Sequence, residues 1–447
     1  MNLRRKHKRI TIPIALFSIG AAAPIVRAET LNYGMDVGLG ETDNVTLVSQ
    51  NPVSQTIGVA DLDFALIQQT RLLNVDAKGA FSYLDFLQHA YSNELIGRFD
   101  GLGKLALVPE RLSWVLQDDF GQAQVDPFAT VTPNNRENIN YVSTGPDLSL
   151  RLGSTGFADL TGRYARTHYA VNPFDNSRAI GTAALGVELS PHSRLSVDGS
   201  TQHVRFDDTV TNTDFTRNSV YGDFTAHGAR TDLTMDLGAT KVDQGSLSST
   251  GPLVKLELSR KLTPSATLTL AAGRDQTDAS MGFSTPQVGA IGTVGTTQAL
   301  RTSGNYTVTY GSIGWQYRRN RSTLSLSGRW EKDAYVGQDI LDRQLANAEL
   351  NVDRRLTETA SVQVFGGYYR SDYANVTFID EYTRAGAAFV LREGRHLELR
   401  LRYEHTSRSV VGVGGGYAEN RAFLTIGYRS NPESTNANGS AIIAPEY

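Results

Sequence analysis

The chain of 447 residues contains no cysteine. If exported, a chain of this length would hold together without disulfides, which suits a closed sheet better than a small stapled extracellular module. Beyond the N-terminal region there is no run near the ~18 consecutive apolar residues that a transmembrane helix needs. The chain also lacks a basic excess. Six of its 43 Lys and Arg lie in the first 28 residues, which hold no acid, leaving 37 against 46 acidic residues and a charge of −9 for the remainder. That balance argues against a nucleic-acid partner. A hydrophobic content of 40% and a mean hydropathy of −0.29 are low for a helical membrane protein, yet fit a barrel whose strands are apolar only at alternate positions.

Alternation is what the chain does contain. In residues 321–331, Leu324, Leu326, Gly328 and Trp330 share one parity, against Thr323, Ser325, Ser327, Arg329 and Glu331. Residues 395–406 repeat the scheme with Leu397, Leu399, Leu401 and Tyr403 against Glu398, Arg400, Arg402 and Glu404. A period of two is a strand, and an apolar face ending in an aromatic, opposite a face with charges of both signs, is expected between lipid and a wet lumen. Ala158, Leu160, Gly162 and Tyr164 follow the same pattern, as do Val362, Val364, Gly366 and Tyr368, while Ala422, Leu424, Ile426 and Tyr428 place an aromatic at the opposite edge. Six residues from first outward residue to aromatic is about 20 Å, near the height of an apolar band between aromatic girdles. Tyr164, Trp330, Tyr368, Tyr403 and Tyr428 are therefore the candidate girdle.

The N-terminus reads as an address. Arg4, Arg5, Lys6, Lys8 and Arg9 precede the apolar stretch Ile10–Ala23, and Val26-Arg27-Ala28 has the small residues of a cleavage site. Residues 1–28 are expected to be a cleaved signal peptide, 29–430 a barrel and 431–447 a polar tail. From Leu31 onward about 20 strand candidates follow, with a range of 18 to 22. Short turns are predicted at Arg71, Pro109-Glu110, Gly153-Ser154, Pro191-His192, Gly228, Thr263-Pro264, Arg319-Asn320, Leu356-Thr357 and Glu393-Gly394. Longer polar loops are predicted at 122–136, 206–214, 276–301 and 407–418. The expected fold is all-β, a single transmembrane antiparallel barrel with short periplasmic turns and long extracellular loops.

Gly38-Leu39-Gly40-Glu41-Thr42-Asp43-Asn44-Val45, the segment Leu73-Asn74-Val75-Asp76-Ala77, and the stretch from Gln117-Asp118-Asp119-Phe120 to Pro133-Asn134-Asn135 resemble the β-barrel porins of Gram-negative outer membranes. More narrowly they resemble outer-membrane proteins associated with exosortase and exopolysaccharide gene clusters. The resemblance implies an outer-membrane barrel serving polysaccharide export or surface assembly, with outer-membrane lipid, polysaccharide and export machinery as partners, and it carries no catalytic residues over. Phe423-Leu424-Thr425-Ile426-Gly427-Tyr428, followed by the polar tail, is the candidate insertion signal.

Enzymatic chemistry is hard to find. Gly38-x-Gly40 lies in a strand, not at a helix N-terminus. Asp43-Asn44 and Asp207-Asp208 lack the ligand count of a calcium site, and the histidines lack metal-ligand spacing. His405 and Ser407 share a face without an identifiable third member. No enzymatic activity, cofactor or metal is expected, and function falls to lumen and loops. The candidate lumen residues are Arg329, Glu331, Glu349, Asp353, Glu398, Arg400, Arg402 and Glu404, where rows of opposite charge would favour polar solutes or would simply pair across strands. Phe365 and Tyr369 fall on the same inward parity and would suit sugar stacking. The segment 276–301 is long enough to fold inward as a constriction or to stay outside as a surface loop. Two readings follow: passage of polar solutes, exopolysaccharide above all, or a scaffold barrel with a closed lumen whose loops bind a polymer or protein.

Overall fold

The computed structural model describes residues 29–284, 304–412 and 414–431. The expected signal peptide, most of the segment 276–301 and all but the first residue of the expected tail lie outside the described residues. The first half of the wall is β1 (Glu29–Thr42), β2 (Gln55–Gln69), β3 (Leu73–Phe86), β4 (Glu94–Val108), β5 (Leu112–Gln124), β6 (Arg136–Leu152), β7 (Gly156–Tyr169), β8 (Asn176–Ser190), β9 (Ser193–Phe206) and β10 (Phe215–His227). The second half is β11 (Thr231–Gln244), β12 (Leu247–Thr263), β13 (Ala266–Asp278), β14 (Asn305–Arg319), β15 (Ser322–Tyr335), β16 (Arg343–Arg355), β17 (Ala360–Tyr373), β18 (Phe378–Glu393), β19 (Leu397–Val411) and β20 (Tyr417–Arg429). A six-residue helix, α1 (Ala279–Ser284), follows β13.

Each strand pairs antiparallel with the next in sequence, and β1 pairs with β20 from Gly34↔Arg429 to Thr42↔Arg421, so the sheet closes into a 20-stranded barrel without edges. The even number returns both ends of the described chain to one side. There Ser430 and Tyr33 are joined by Ser430 N donating to Tyr33 O at 2.9 Å and Tyr33 N donating to Ser430 Oγ at 2.8 Å.

On that side lie all nine predicted short turns, each two to four residues long. Local chemistry explains them. Gly153 and Gly394 take φ of +72° and +64°, a region glycine enters freely, and Asn320 takes +50°, which asparagine tolerates better than most side chains. The opposite side carries the longer connections, with departures from expectation of which two are the largest. β11 and β12 are joined by Gly245 and Ser246 alone, and β19 and β20 run on to Val411 and from Tyr417, leaving only 412–416 of the predicted loop 407–418.

The alternation sorts residues as a barrel requires. Along β19, Leu397, Leu399, Leu401 and Tyr403 are 40–55% exposed, whereas Glu398, Arg400 and Glu404 are 2–7% exposed. Apolar side chains therefore coat the outside and charged ones the inside. Inside, burial is uneven along the barrel axis. On β6, Glu137, Ile139, Tyr141 and Ser143 near the loop side are buried, while Ser149 and Arg151 near the turn side are exposed. On β3, Ser82, Leu84 and Phe86 are buried, while Asp76 and Lys78 are exposed. The seam differs, since Glu398, Thr425, Arg429 and Asp36 are buried close to the turn side as well.

Candidate functional site

Among the described residues, three structures fill much of the loop-side interior. In the first, the connection 43–54 folds into the barrel. Its Val45 packs with Ile57, Val59, Leu84, Phe86, Ile96 and Phe423, and Leu47 is buried too. The second is the connection 125–135. Asn135 shapes it, accepting a hydrogen bond at Oδ1 from Asp126 N at 2.7 Å and donating from Nδ2 to Asp126 O and Thr130 O at 3.0 and 3.1 Å. Its Phe128 reaches the far wall, with its ring 4.9 Å from that of Tyr373 and 5.1 Å, edge-on, from that of Phe378. Arg408 ties the same connection down, since Nη1 donates to Thr130 Oγ1 at 2.7 Å while Nε and Nη2 hold Asp380 in a fork at 2.8 and 2.7 Å. Beside this aromatic cluster, with Arg343 opposite Tyr373, lies the buried pair Arg343 Nε–Asp333 Oδ2, at 2.9 Å.

The third structure is a hub at the end of β13. Asp278 accepts from Arg178 Nη2 of β8 at 3.0 Å and from Arg217 Nη2 of β10 at 2.5 Å, and Arg217 Nη1 also donates to Gln276 O at 2.9 Å. In α1, Ser280 Oγ lies 3.2 Å from both Tyr169 Oη and Asn176 Nδ2. The start of the long predicted loop thus turns inward and bonds to β7, β8 and β10, strands that are not its neighbours in the wall. Two guanidinium groups satisfy one buried carboxylate, which keeps burial of these charges tolerable.

All eight candidate lumen residues fall on the inward face, opposite the exposed apolar positions, and six form three pairs along their own strands. Arg329 Nη2 donates to Glu331 Oε2 at 2.5 Å, Arg402 Nη2 donates to Glu404 Oε2 at 2.6 Å, and Arg400 pairs with Glu398. Glu404 also accepts from Arg421 Nη2 at 2.6 Å, and Arg429 Nη2 donates to Asp36 Oδ2 at 2.6 Å across the seam. Asp353 accepts from Gln363 Nε2 at 3.1 Å, and Glu349 is half-buried on the same face of β16. The guanidinium of Arg402 lies 4.4 Å from the Phe365 ring centroid, and that of Arg329 lies 4.3 Å from the Tyr310 ring centroid. Tyr369 is half-buried inside, opposite Asn347 and Tyr382.

The five candidate girdle aromatics are all exposed on the outer face. Tyr403 Oη donates to Asn420 Oδ1 at 2.7 Å, and Tyr428 stacks on His396 at 5.3 Å with the tilted ring of Tyr33 at 6.0 Å. Trp114, whose Nε1 donates to Thr144 Oγ1 at 2.8 Å, is a further exposed aromatic near the turn side that pattern reading passed over. His405 Nδ1 lies 2.9 Å from Asn420 Oδ1. Among the described residues no group of His, Asp or Glu is arranged to hold a metal, and no helix is long and apolar enough to cross a membrane. In the connection 207–214, Asp208 is held below its ordinary carboxyl pKa by the Thr211 hydroxyl and the Val210 N–H.

Sequence reasoning missed Asp278, Arg178, Arg217, Phe128 and Arg408. Each partner lies far away in sequence, and only the closed register brings them together.

No protein-family model and no curated protein matches the chain. Among solved structures it is similar to the siderophore receptor PirA from Pseudomonas aeruginosa, at 12% identity over 90% of this chain and 81% of that one, with a TM-score of 0.42. It is also similar to the siderophore receptor PirA from Acinetobacter baumannii, at 9% identity over 90% and 81% with a TM-score of 0.44. The FrpB iron transporter from Neisseria meningitidis gives 10% identity over 89% and 81% with a TM-score of 0.46. At this level of similarity the likenesses carry no inference about what this chain does.

Proposed function

We propose that the protein is an outer-membrane barrel that passes polar solutes and rests with its loop side closed. The carrying observation is the division of its interior. The turn-side half presents exposed charges such as Asp76 and Lys78 to water, while in the loop-side half the inward side chains are buried against the connections 43–54 and 125–135 and the Asp278 hub. Export through a cleaved signal peptide, short turns facing the periplasm and a girdle of Tyr164, Trp330, Tyr368, Tyr403 and Tyr428 at the lipid boundary complete the reading. The eight candidate residues from Arg329 to Glu404 line the path. Six of them pair as three Arg with three Glu, which supports a mid-wall that is polar and locally balanced and suits an uncharged hydrophilic solute better than a strongly charged one.

Within that class we favour a polysaccharide, with export machinery as partner, because Phe365 and Tyr310 present aromatic rings beside arginines on the inward face. Comparing secreted polysaccharide and envelope permeability with and without the gene tests this. Loss of polymer from the medium supports it, and no change in either quantity removes it.

The scaffold reading has a specific observation in its favour, namely the number of interior charges satisfied by one another. Opening the loop side separates the two readings: a transport barrel then conducts, and a scaffold whose lumen is filled along its whole length stays silent.

A further inference from the structure

The turn-side mouth holds a feature that the transport reading leaves unused. A cavity of about 90 Å³ opens there, lined among others by Arg318, Arg321, Arg355 and Arg392, with Asp353 as its one carboxylate. Strand register gathers these side chains. Arg318 lies on β14 opposite Thr323 of β15, which is itself opposite Asp353 of β16. Arg355, two residues beyond Asp353, is opposite Ser361 of β17, which pairs with Val390, two residues before Arg392 on β18. Arg318, Arg355 and Arg392 share the inward parity of Glu349 and Asp353, so these charges lie on the lumen side of the wall and not on its lipid side.

Four guanidinium groups against one carboxylate leave the lining at +3. Gathering like charges around a small space is unfavourable, and a bound anion relieves it. Two of the charges are moderated from outside the cavity, since Arg392 Nε stands 3.6 Å from Glu398 Oε2 and Arg321 Nη1 donates to Leu356 O at 3.2 Å. Asp353 is already engaged by Gln363. Planar guanidinium groups match the geometry of phosphate and carboxylate oxygens with two N–H bonds at once.

We propose that this mouth is a binding site for a soluble oxyanion, a phosphate or carboxylate group carried by a small solute entering from the turn side. The site does not depend on whether the loop side opens, so its test is independent of the transport reading.

The test is isothermal titration of inorganic phosphate into the full folded barrel in non-ionic detergent at low ionic strength, where exposed charges are least screened. Saturable binding is expected, weakened about tenfold or more in the Arg318→Ser, Arg355→Ser double variant. Arg318 and Arg355 are exposed, so the barrel survives their loss. Asp353→Asn removes the only negative charge of the lining and is expected to tighten binding, a direction that no general structural damage would produce. Absence of saturable phosphate binding to the wild type, or equal binding by the double variant, overturns the site. So does binding of phosphatidylglycerol nanodiscs without binding of inorganic phosphate, since a lumen-facing cavity cannot take a bilayer headgroup.

Discussion

Asp278 of β13 and Arg178 of β8 meet at 3.0 Å across the barrel interior, although four strands separate them in the wall. Five interstrand spacings amount to roughly 24 Å along the circumference. The contact therefore requires the loop-side end of β13 to lean inward, and Arg217 of β10 secures it from the same direction. Asp278→Ala would leave two buried guanidinium groups without their shared acceptor. A loss of about 3–5 kcal/mol is expected, read as a lower urea midpoint for unfolding. An unchanged midpoint would mean that water already supports these charges.

The outer face gives a contrasting prediction. Leu401 is 55% exposed in mid-strand on β19, whereas Val210 is 93% exposed in the connection 207–214. If lipid covers the first and water the second, Leu401→Arg costs about 2–4 kcal/mol in a bilayer while Val210→Arg costs little. Equal small effects in lipid vesicles would contradict the assignment of the apolar band.

The seam depends on a close approach at Gly38. A Cβ there would lie 2.2 Å from Leu424 O and 2.8 Å from Thr425 Cα on β20, and the backbone cannot yield as a flexible side chain can. Gly38→Val is expected to impair pairing of the first strand with the last. Fewer barrels should then reach the compact, heat-modifiable form on a gel. Folding at the wild-type yield would mean that the seam tolerates displacement.

Asp208 offers a check on the loops. Hydrogen bonds from Thr211 and Val210 favour its charged form, so its titration midpoint falls below the ordinary 3.8. The stabilising contribution is present above the unfolded value and is lost as pH falls through the lowered folded one. Carboxyl carbon NMR should find the midpoint below 3.8, and Thr211→Val should move it up. A wild-type midpoint at the ordinary value would show that the connection does not hold this turn in solution.

The parts legible in the sequence are those set by local chemistry. Alternation separated Leu397, Leu399 and Leu401 from Glu398, Arg400 and Arg402, and turn residues such as Gly153, Asn320 and Gly394 marked where strands reverse. Strand ends on the loop side were less legible. Ser407 to Val411 and Gln276 to Asp278 continue their ladders beyond the apolar band, where the two faces no longer differ in polarity and a period of two does not show as hydropathy. The pairs along one strand, such as Arg402 with Glu404, follow from parity alone. The hub and the Phe128 contact do not, because they depend on how a closed wall of twenty strands bends and on which connections turn inward.

We propose a polar barrel closed on its loop side by displaceable contacts. Single-channel conductance in a planar bilayer tests it most directly, comparing the wild type with the Phe128→Ala, Arg408→Ala double variant, which removes the aromatic anchor and the tether of the connection 125–135. Low or intermittent current is expected from the wild type and steady, larger current from the variant. A variant that is folded, inserted and silent would contradict it and leave the scaffold reading in its place.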